Sequence, residues 1–264
     1  MSTPDPIQLE VFKHLFASVA EEMGVVLRRT GYSPNIKERL DFSCALFNAE
    51  GALIAQAAHI PAHLGAMPMS VLACLEALEF YPGDVAVLND PFHGGNHLPD
   101  ITMVTPIFTD DSPNAQLLGF SANRAHHSDV GGMSPGSIPL SREIYQEGII
   151  IPPLKLVEKG SLNQPVMDII LANVRTPTER AGDLRAQIAA NCKGVERLRE
   201  LVLRYGVAEV QQRSEQLLAY AERMTRRLIT DLPDGTYAFS DFMDDDGIEP
   251  EPVKLQVTIT VAGD

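Results

Sequence analysis

Val85-Ala-Val-Leu-Asn-Asp-Pro-Phe-His-Gly-Gly-Asn-His-Leu-Pro-Asp-Ile-Thr-Met-Val104 reads as an apolar strand, a polar loop and a second apolar strand. The loop, Asn89–Asp100, carries two histidines, two aspartates, two asparagines, two glycines and two prolines. A connection that only joins strands has no use for so many ligand-type side chains, whereas a metal-centred site does. His97 and Asp100 form an H-x-x-D pair. That spacing can bring an imidazole and a carboxylate to one ion, a donor set suited to zinc, manganese or ferrous iron. Pro99 stiffens the segment between them, and Gly95 and Asn96 permit tight backbone geometry.

Moving outward, strands are expected near 84–89, 101–108 and 115–122. A second polar cluster, Arg124-Ala-His-His-Ser-Asp-Val-Gly-Gly132, follows the last of these. Two such loops after neighbouring strands can meet at one sheet edge, where His126 or His127 would complete a site. Asp129 is then a base or a carboxylate orienting a ligand imidazole, or simply a turn residue before Val-Gly-Gly. Six of the seven histidines fall between residues 59 and 127, a concentration that favours a shared role for the group. His59 and His63 are spaced i,i+4, but Pro61 argues against a regular helix there. Structural or substrate-lining roles fit that pair. Asp41, before the apolar run Phe42–Phe47, reads by itself as a strand-entry residue.

The flanks complete an α+β pattern: a mixed sheet with functional loops in the N-terminal half and long helices in the C-terminal half. Apolar residues recur at helical spacing over 7–30, ended by Gly31, and a second helix covers 66–79. A hairpin covers 42–57. Thr176-Pro-Thr-Glu179 has the form of a capping box opening a helix to about Gly206. Another helix runs to about Thr230, and strands near 236–243 and 252–261 flank an acidic turn. The expected organisation is a strand-rich metal-binding region over 1–160, a helical region over 161–230 and the start of a further β region over 231–264. Val253–Val261 alternates like a half-buried strand with no later segment to pair with, which suggests the front part of a longer polypeptide.

Composition removes several function classes. A net charge of −14 and a pI near 4.9 leave no basic surface for nucleic acid or an anionic membrane. Three scattered cysteines form neither a disulfide framework nor a thiolate metal site. The N-terminus lacks a signal-peptide pattern and no apolar run spans a bilayer, so a cytoplasmic location is expected. There is no G-x-x-x-x-G-K-[ST] loop for ATP and no G-x-S-x-G nucleophile motif. The acidic run 244–251 fits an EF-hand badly.

Asn89–Asp100 closely resembles the signature of the hydantoinase B/5-oxoprolinase family. So do Ser33-Pro-Asn-Ile-Lys-Glu-Arg39 with Asp41-Phe-Ser-Cys44, Ala57-Ala-His-Ile-Pro-Ala-His-Leu-Gly65, and Arg124–Gly132. Tyr145-Gln-Glu-Gly148 with Ile151-Pro-Pro153, and Gly182-Asp-Leu-Arg-Ala-Gln-Ile-Ala-Ala-Asn191, agree as well, so the resemblance covers essentially the whole chain. It implies an ATP-dependent cyclic amidohydrolase in which ATP is bound by a hydantoinase A-like partner subunit, which phosphorylates the substrate. It also implies four metal ligands, Asp41, His97, Asp100 and His126, on a divalent zinc, manganese or iron ion. His126 is preferred to His127 because family members often carry tryptophan at the second position. Asp129 or Glu147 would handle protons while water opens a hydantoin-like ring or lactam; Glu147 also reads as an ordinary exposed carboxylate. Family members are longer, so the resemblance implies a fragment or a split subunit of a hetero-oligomer. Two alternatives stay open: a subunit of an acetone-type carboxylase, and a non-catalytic, truncated assembly subunit.

Overall fold

The computed structural model describes residues 5–263 except 59, 61, 62, 64 and 113. Asp5 caps the first helix, α1 (Pro6–Thr30), by accepting from the Ile7 amide, with proline at the first helical position. A short turn of helix, α2 (Pro34–Lys37), follows. Strands β1 (Phe42–Asn48) and β2 (Leu53–Ala58) form the expected hairpin. Helix α3 (Met67–Ala77) then leads to β3 (Val85–Leu88), β4 (Asp100–Phe108) and β5 (Leu117–His126). Two short strands not foreseen from sequence come next, β6 (Leu154–Glu158) and β7 (Ser161–Leu162). Helices α4 (Gln164–Ala172), α5 (Pro177–Tyr205) and α6 (Val207–Thr230) precede the final hairpin, β8 (Gly235–Met243) and β9 (Val253–Val261).

Strands β1 to β7 build one sheet in the order β2-β1-β5-β4-β3-β6-β7, and β8 and β9 pair apart from it. The α+β architecture is as expected, but the sheet is antiparallel at every pairing among the described residues where a mixed sheet was expected. The reason is the connections. β1–β2 and β4–β5 turn back directly, and no βαβ crossover returns a strand parallel to its neighbour. Among the described residues no helix is long and apolar enough to cross a membrane.

Both faces of the sheet are covered. On one, Ala45, Phe47, Ala86, Leu88, Val104, Phe120 and Ala122 pack under Met67, Val71 and Cys74 of α3. On the other, Phe42, Cys44 and Leu46 meet Phe12, Phe16, Val19 and Met23 of α1 and Ala186 and Ala190 of α5. Val85, Val87, Ile101 and Met103 continue that face under α4. The odd–even alternation along β1 and β3 is the strand period made visible. Complete burial of each Phe or Met stabilises the fold by about 1.5–3 kcal/mol.

Helix α5 does not dock by apolar contact alone. Arg180, Asp183, Gln187 and Asn191 recur at helical spacing and are all buried. Gln187 Nε2 donates to the Ile101 carbonyl (2.8 Å) and to Asn123 Oδ1 (2.8 Å). Asn191 Nδ2 donates to the Met103 carbonyl (3.1 Å), and Asn123 Nδ2 donates to the Gln187 carbonyl (2.7 Å) and Asn191 Oδ1 (2.8 Å). Asp183 accepts from the amides of Tyr32 and Ser33, tying the segment after α1 to the same helix. Gly194 allows the close approach, since a Cβ there would sit 2.8 Å from Ser121 Cβ. The expected capping box at Thr176 marks the start of α5 correctly but forms no side-chain cap; Glu179 pairs with Arg180 instead.

This polar seam also explains why β5 outruns its expected end at 122. Asn123–His126 is polar and reads as loop, yet α5 supplies partners that let Asn123 remain in the ladder. Asn123→Ala removes the donor to the buried Asn191 Oδ1 and one acceptor of Gln187 Nε2 and is expected to cost about 2–3 kcal/mol in chemical denaturation. A loss below about 0.5 kcal/mol, typical of surface changes, would contradict the seam.

Candidate metal centre

The ladder itself assembles the centre. Asp100, the first residue of β4, pairs with His126, the last residue of β5. One step beyond the start of β1, the Asp41 carbonyl accepts from the His126 amide (2.9 Å). Three neighbouring strand ends therefore meet at one edge of the sheet, with Asp41, Asp100 and His126 in register. Asp100 and His126 lie on the α3 face, in phase with the Thr102–Arg124 and Val104–Ala122 pairs. The segment before Asp41 is held in an uncommon conformation: Leu40 has φ 56°, and the Asp41 amide donates to the Asn35 carbonyl (2.9 Å).

His97 reaches the same place because the 89–100 loop is tightly fixed. Asn89, buried, donates to the carbonyls of Leu98 (2.7 Å) and Ile149 (3.0 Å) and accepts from the Ile151 amide (2.7 Å). Asp90 accepts from the Phe92 amide and from His93 Nδ1 (2.7 Å). Gly94 has φ 85°, and a Cβ there would meet the Met69 carbonyl oxygen at 2.4 Å, so this position has neither the torsion nor the room for a side chain.

His97, Asp100 and His126 bring one ligand atom each within 4.8 Å of one another. Asp100 Oδ1 lies 3.0 Å from His126 Nδ1, and Oδ2 lies 3.1 Å from His97 Nδ1 and 3.0 Å from Asn96 Nδ2. The two imidazoles stack obliquely with centroids 5.1 Å apart. Asp100 is buried, whereas the His97 side chain is 37% exposed, so the centre opens on the His97 side. Two imidazoles and one carboxylate at this spacing form a donor set that fits a divalent ion.

Electrostatics follow from that burial. Burial by itself would raise the Asp100 carboxyl, but the ring nitrogens of His126, His63 and His97 reverse this and hold it well below the usual carboxylate range. The Asp100 contact in turn raises His97 above the ordinary histidine value, against the opposing effect of burial. Arg124 lies fully buried one ladder step deeper, donating to Thr102 (2.9 Å) and Ser70 (2.6 Å), and burial lowers its guanidinium. Ser70 hands this contact on to the Gly94 carbonyl, linking Arg124 to the loop that carries His97.

The structure thus gathers His97, Asp100 and His126, leaves the Asp41 carboxylate on the adjoining strand end outside that group, and separates His126 from His127. His127 turns to the other face, where its Nε2 meets Gln187 Oε1 (2.8 Å). Asp129 and Glu147 are engaged elsewhere. Asp129 is buried, pairs with Arg175 (3.0 Å) and accepts from the Gly131 amide (3.0 Å), the contacts of a turn residue. Glu147 accepts from Ser141 (3.0 Å). Of the His59/His63 pair, His59 lies outside the described residues. His63 is buried and belongs to the centre, with Nε2 3.6 Å from Asp100 Oδ2 and 3.9 Å from Asp41 Oδ1. The residue pattern hides that role, because Pro61 speaks against a helical i,i+4 pair and the approach to Asp100 is made through the tertiary fold.

The sequence matches the hydantoinase B/oxoprolinase family over residues 5–264. It is 39% identical to the 5-oxoprolinase of Dictyostelium discoideum over 265 residues, covering 97% of this chain and 20% of that protein. It is 37% identical to a putative D-/L-hydantoinase subunit from a Pseudomonas species over 270 residues, covering 98% of this chain and 45% of that one. The crystal structure of the ATP-dependent caprolactamase from Pseudomonas jessenii superposes with a TM-score of 0.85 at 34% identity, covering 98% of this chain and 45% of that chain. The chain spans less than half the length of these relatives.

The two adjacent histidines differ in a measurable way. Burial, aided by the Arg180 guanidinium, pushes His127 down to about 4, and its Nδ1 has no hydrogen-bond partner among the described residues. The unfolded chain titrates this group near 6.5 and so binds more protons between the two values. Its stabilising contribution is complete above the higher value and is lost as pH falls toward the lower. Between about pH 7.5 and about pH 5 the wild type is expected to lose about 2 kcal/mol more than His127→Gln. Equal pH dependence in the two proteins would contradict the buried, neutral assignment.

Proposed function

The chain belongs to the hydantoinase B/oxoprolinase family, and we propose that it forms the metal-dependent catalytic part of an ATP-dependent cyclic amidohydrolase. The observation that carries this reading is the convergence of His97, Asp100 and His126 within 4.8 Å, on an edge open to solvent at His97. Asp41, on the adjoining strand end, is the fourth ligand of a single zinc, manganese or iron ion. Bound there, the ion supplies Lewis acidity and lowers the pKa of water toward neutrality.

The residues of this chain do the rest. Asn96 and His63 fix the Asp100 carboxylate, and the Arg124–Ser70–Gly94 connection fixes the loop that presents His97. ATP is bound by a hydantoinase A-like partner, which forms a hetero-oligomer with this chain and phosphorylates the amide oxygen of a hydantoin, 5-oxoproline or lactam. One water adds to the activated carbon and the ring C–N bond breaks, leaving an acyl phosphate on the opened chain, and a second water hydrolyses that to the carboxylate and free phosphate. Asp129, clamped by Arg175, sets its loop, and Glu147, bonded to Ser141, sets the segment packed against Gly132. The names of the relatives, a 5-oxoprolinase, a hydantoinase subunit and an ATP-dependent caprolactamase, favour ring hydrolysis.

Elemental analysis of the purified protein tests the metal assignment. Wild type is expected to retain roughly one divalent ion per chain and His97→Ala to lose most of it, because the substitution removes one of the proposed protein ligands. Equal metal content in the two would reject the centre. In complex with the partner, ring opening of hydantoin or 5-oxoproline should require ATP; turnover of ketones with bicarbonate alone would reject the hydrolase reading.

A further inference from the structure

We propose that His63 is a positioning residue that holds the Asp41 and Asp100 carboxylates together through a shared Nε2–H; the proposal rests on the metal-centre reading above. His63 is buried, and its Nδ1 lies 3.0 Å from the Ser43 hydroxyl, itself buried on β1. Ser43 stands opposite Arg124 in the ladder, on the same face as the centre. With the hydroxyl donating to Nδ1, a ring proton sits on Nε2. That nitrogen faces Asp100 Oδ2 at 3.6 Å and Asp41 Oδ1 at 3.9 Å, close enough for electrostatic attraction to both though beyond hydrogen-bond distance.

The need for such a group follows from charge. Asp41 arrives from the segment before β1 and Asp100 from the start of β4, with β5 between these strands. Two carboxylates brought to one ion repel each other, and one of them is buried. The positive end of an N–H placed between them offsets part of the repulsion and favours both oxygens turning toward it before any ion arrives. Groups that orient ligand atoms in this way typically change metal affinity when removed. Ser43 thus acts on His63 by fixing its tautomer, and His63 acts on the two carboxylates by fixing their direction.

Cobalt(II) titration of the metal-free full chain tests this, read by both affinity and visible absorption. His63→Ala is expected to bind cobalt about 10–100-fold more weakly than wild type, with the absorption bands of the same coordination class. His63→Gln, whose amide nitrogen replaces Nε2–H, should recover most of the affinity, and Ser43→Ala should fall between. Equal affinity of wild type and His63→Gln with a weakened but folded His63→Ala supports the donor role even if His63→Ala is less stable. Unchanged affinity in His63→Ala would overturn the proposal. So would a change of coordination class in both His63 variants, since His63 would then be a ligand. A folded wild type that binds no cobalt would overturn the metal centre and this proposal together, whereas cobalt binding unaffected by His63 variants overturns this proposal alone.

Discussion

The structure turns on one buried charge, the Asp100 carboxylate at the start of β4. Removing an ionised carboxylate from water is costly unless donors surround it, and leaving one partner out is costly in turn. Here Asn96, His97 and His126 lie within 3.1 Å of its oxygens, and His63 stands at 3.6 Å. These come from the 89–100 loop, the end of β5 and the segment after β2. No local segment could satisfy Asp100; only the assembled antiparallel sheet brings those parts together. His97 and His126, which satisfy the carboxylate here, are also two of the proposed ligands, so the contacts the fold needs and the lone pairs a cation would use belong to the same side chains.

The sheet can carry a polar centre because its two faces are divided by function. The α1 and α5 face buries most of the large aromatic and aliphatic side chains, and the Asn123–Gln187–Asn191 network fixes where α5 lies on β4 and β5. A fully connected buried network specifies one arrangement more sharply than apolar contact does. With β4 and β5 locked from behind, the strand ends on the opposite face keep their register. The α3 face is apolar in the middle and becomes polar toward the edge, through Thr102, Arg124 and Ser43 to Asp100 and His126. The gradient places a charged, partly open centre beside a dry core.

Much of this was legible in sequence where periodicity or spacing is local. The helical repeat of α1, the β1–β2 hairpin and the strands around Asn89–Asp100 follow from the residue pattern alone. The His97–Asp100 pair was visible as H-x-x-D because both ligands lie on one short loop. What was hidden depends on contacts distant in sequence. Asn123–His126 reads as loop until α5 supplies partners for it. Among the described residues β6 pairs with β3 and the short β7, and its turn at Lys159 (φ 47°) carries no strong signal. Asp41 became a ligand candidate through family resemblance, and the ladder now explains its place, since its carbonyl accepts from the His126 amide. His63 had a warning against it in Pro61 and nothing local to indicate that its ring points to Asp100 from a segment far away in the chain.

The central claim is that Asp41, His97, Asp100 and His126 hold a single divalent ion. Its most direct test is a crystal structure of the manganese-loaded protein with anomalous scattering data. The expected result is one strong anomalous peak bounded by these four side chains, with His63 beside the carboxylates. An empty centre at saturating manganese, or a peak confined to the acidic turn between β8 and β9, would contradict it.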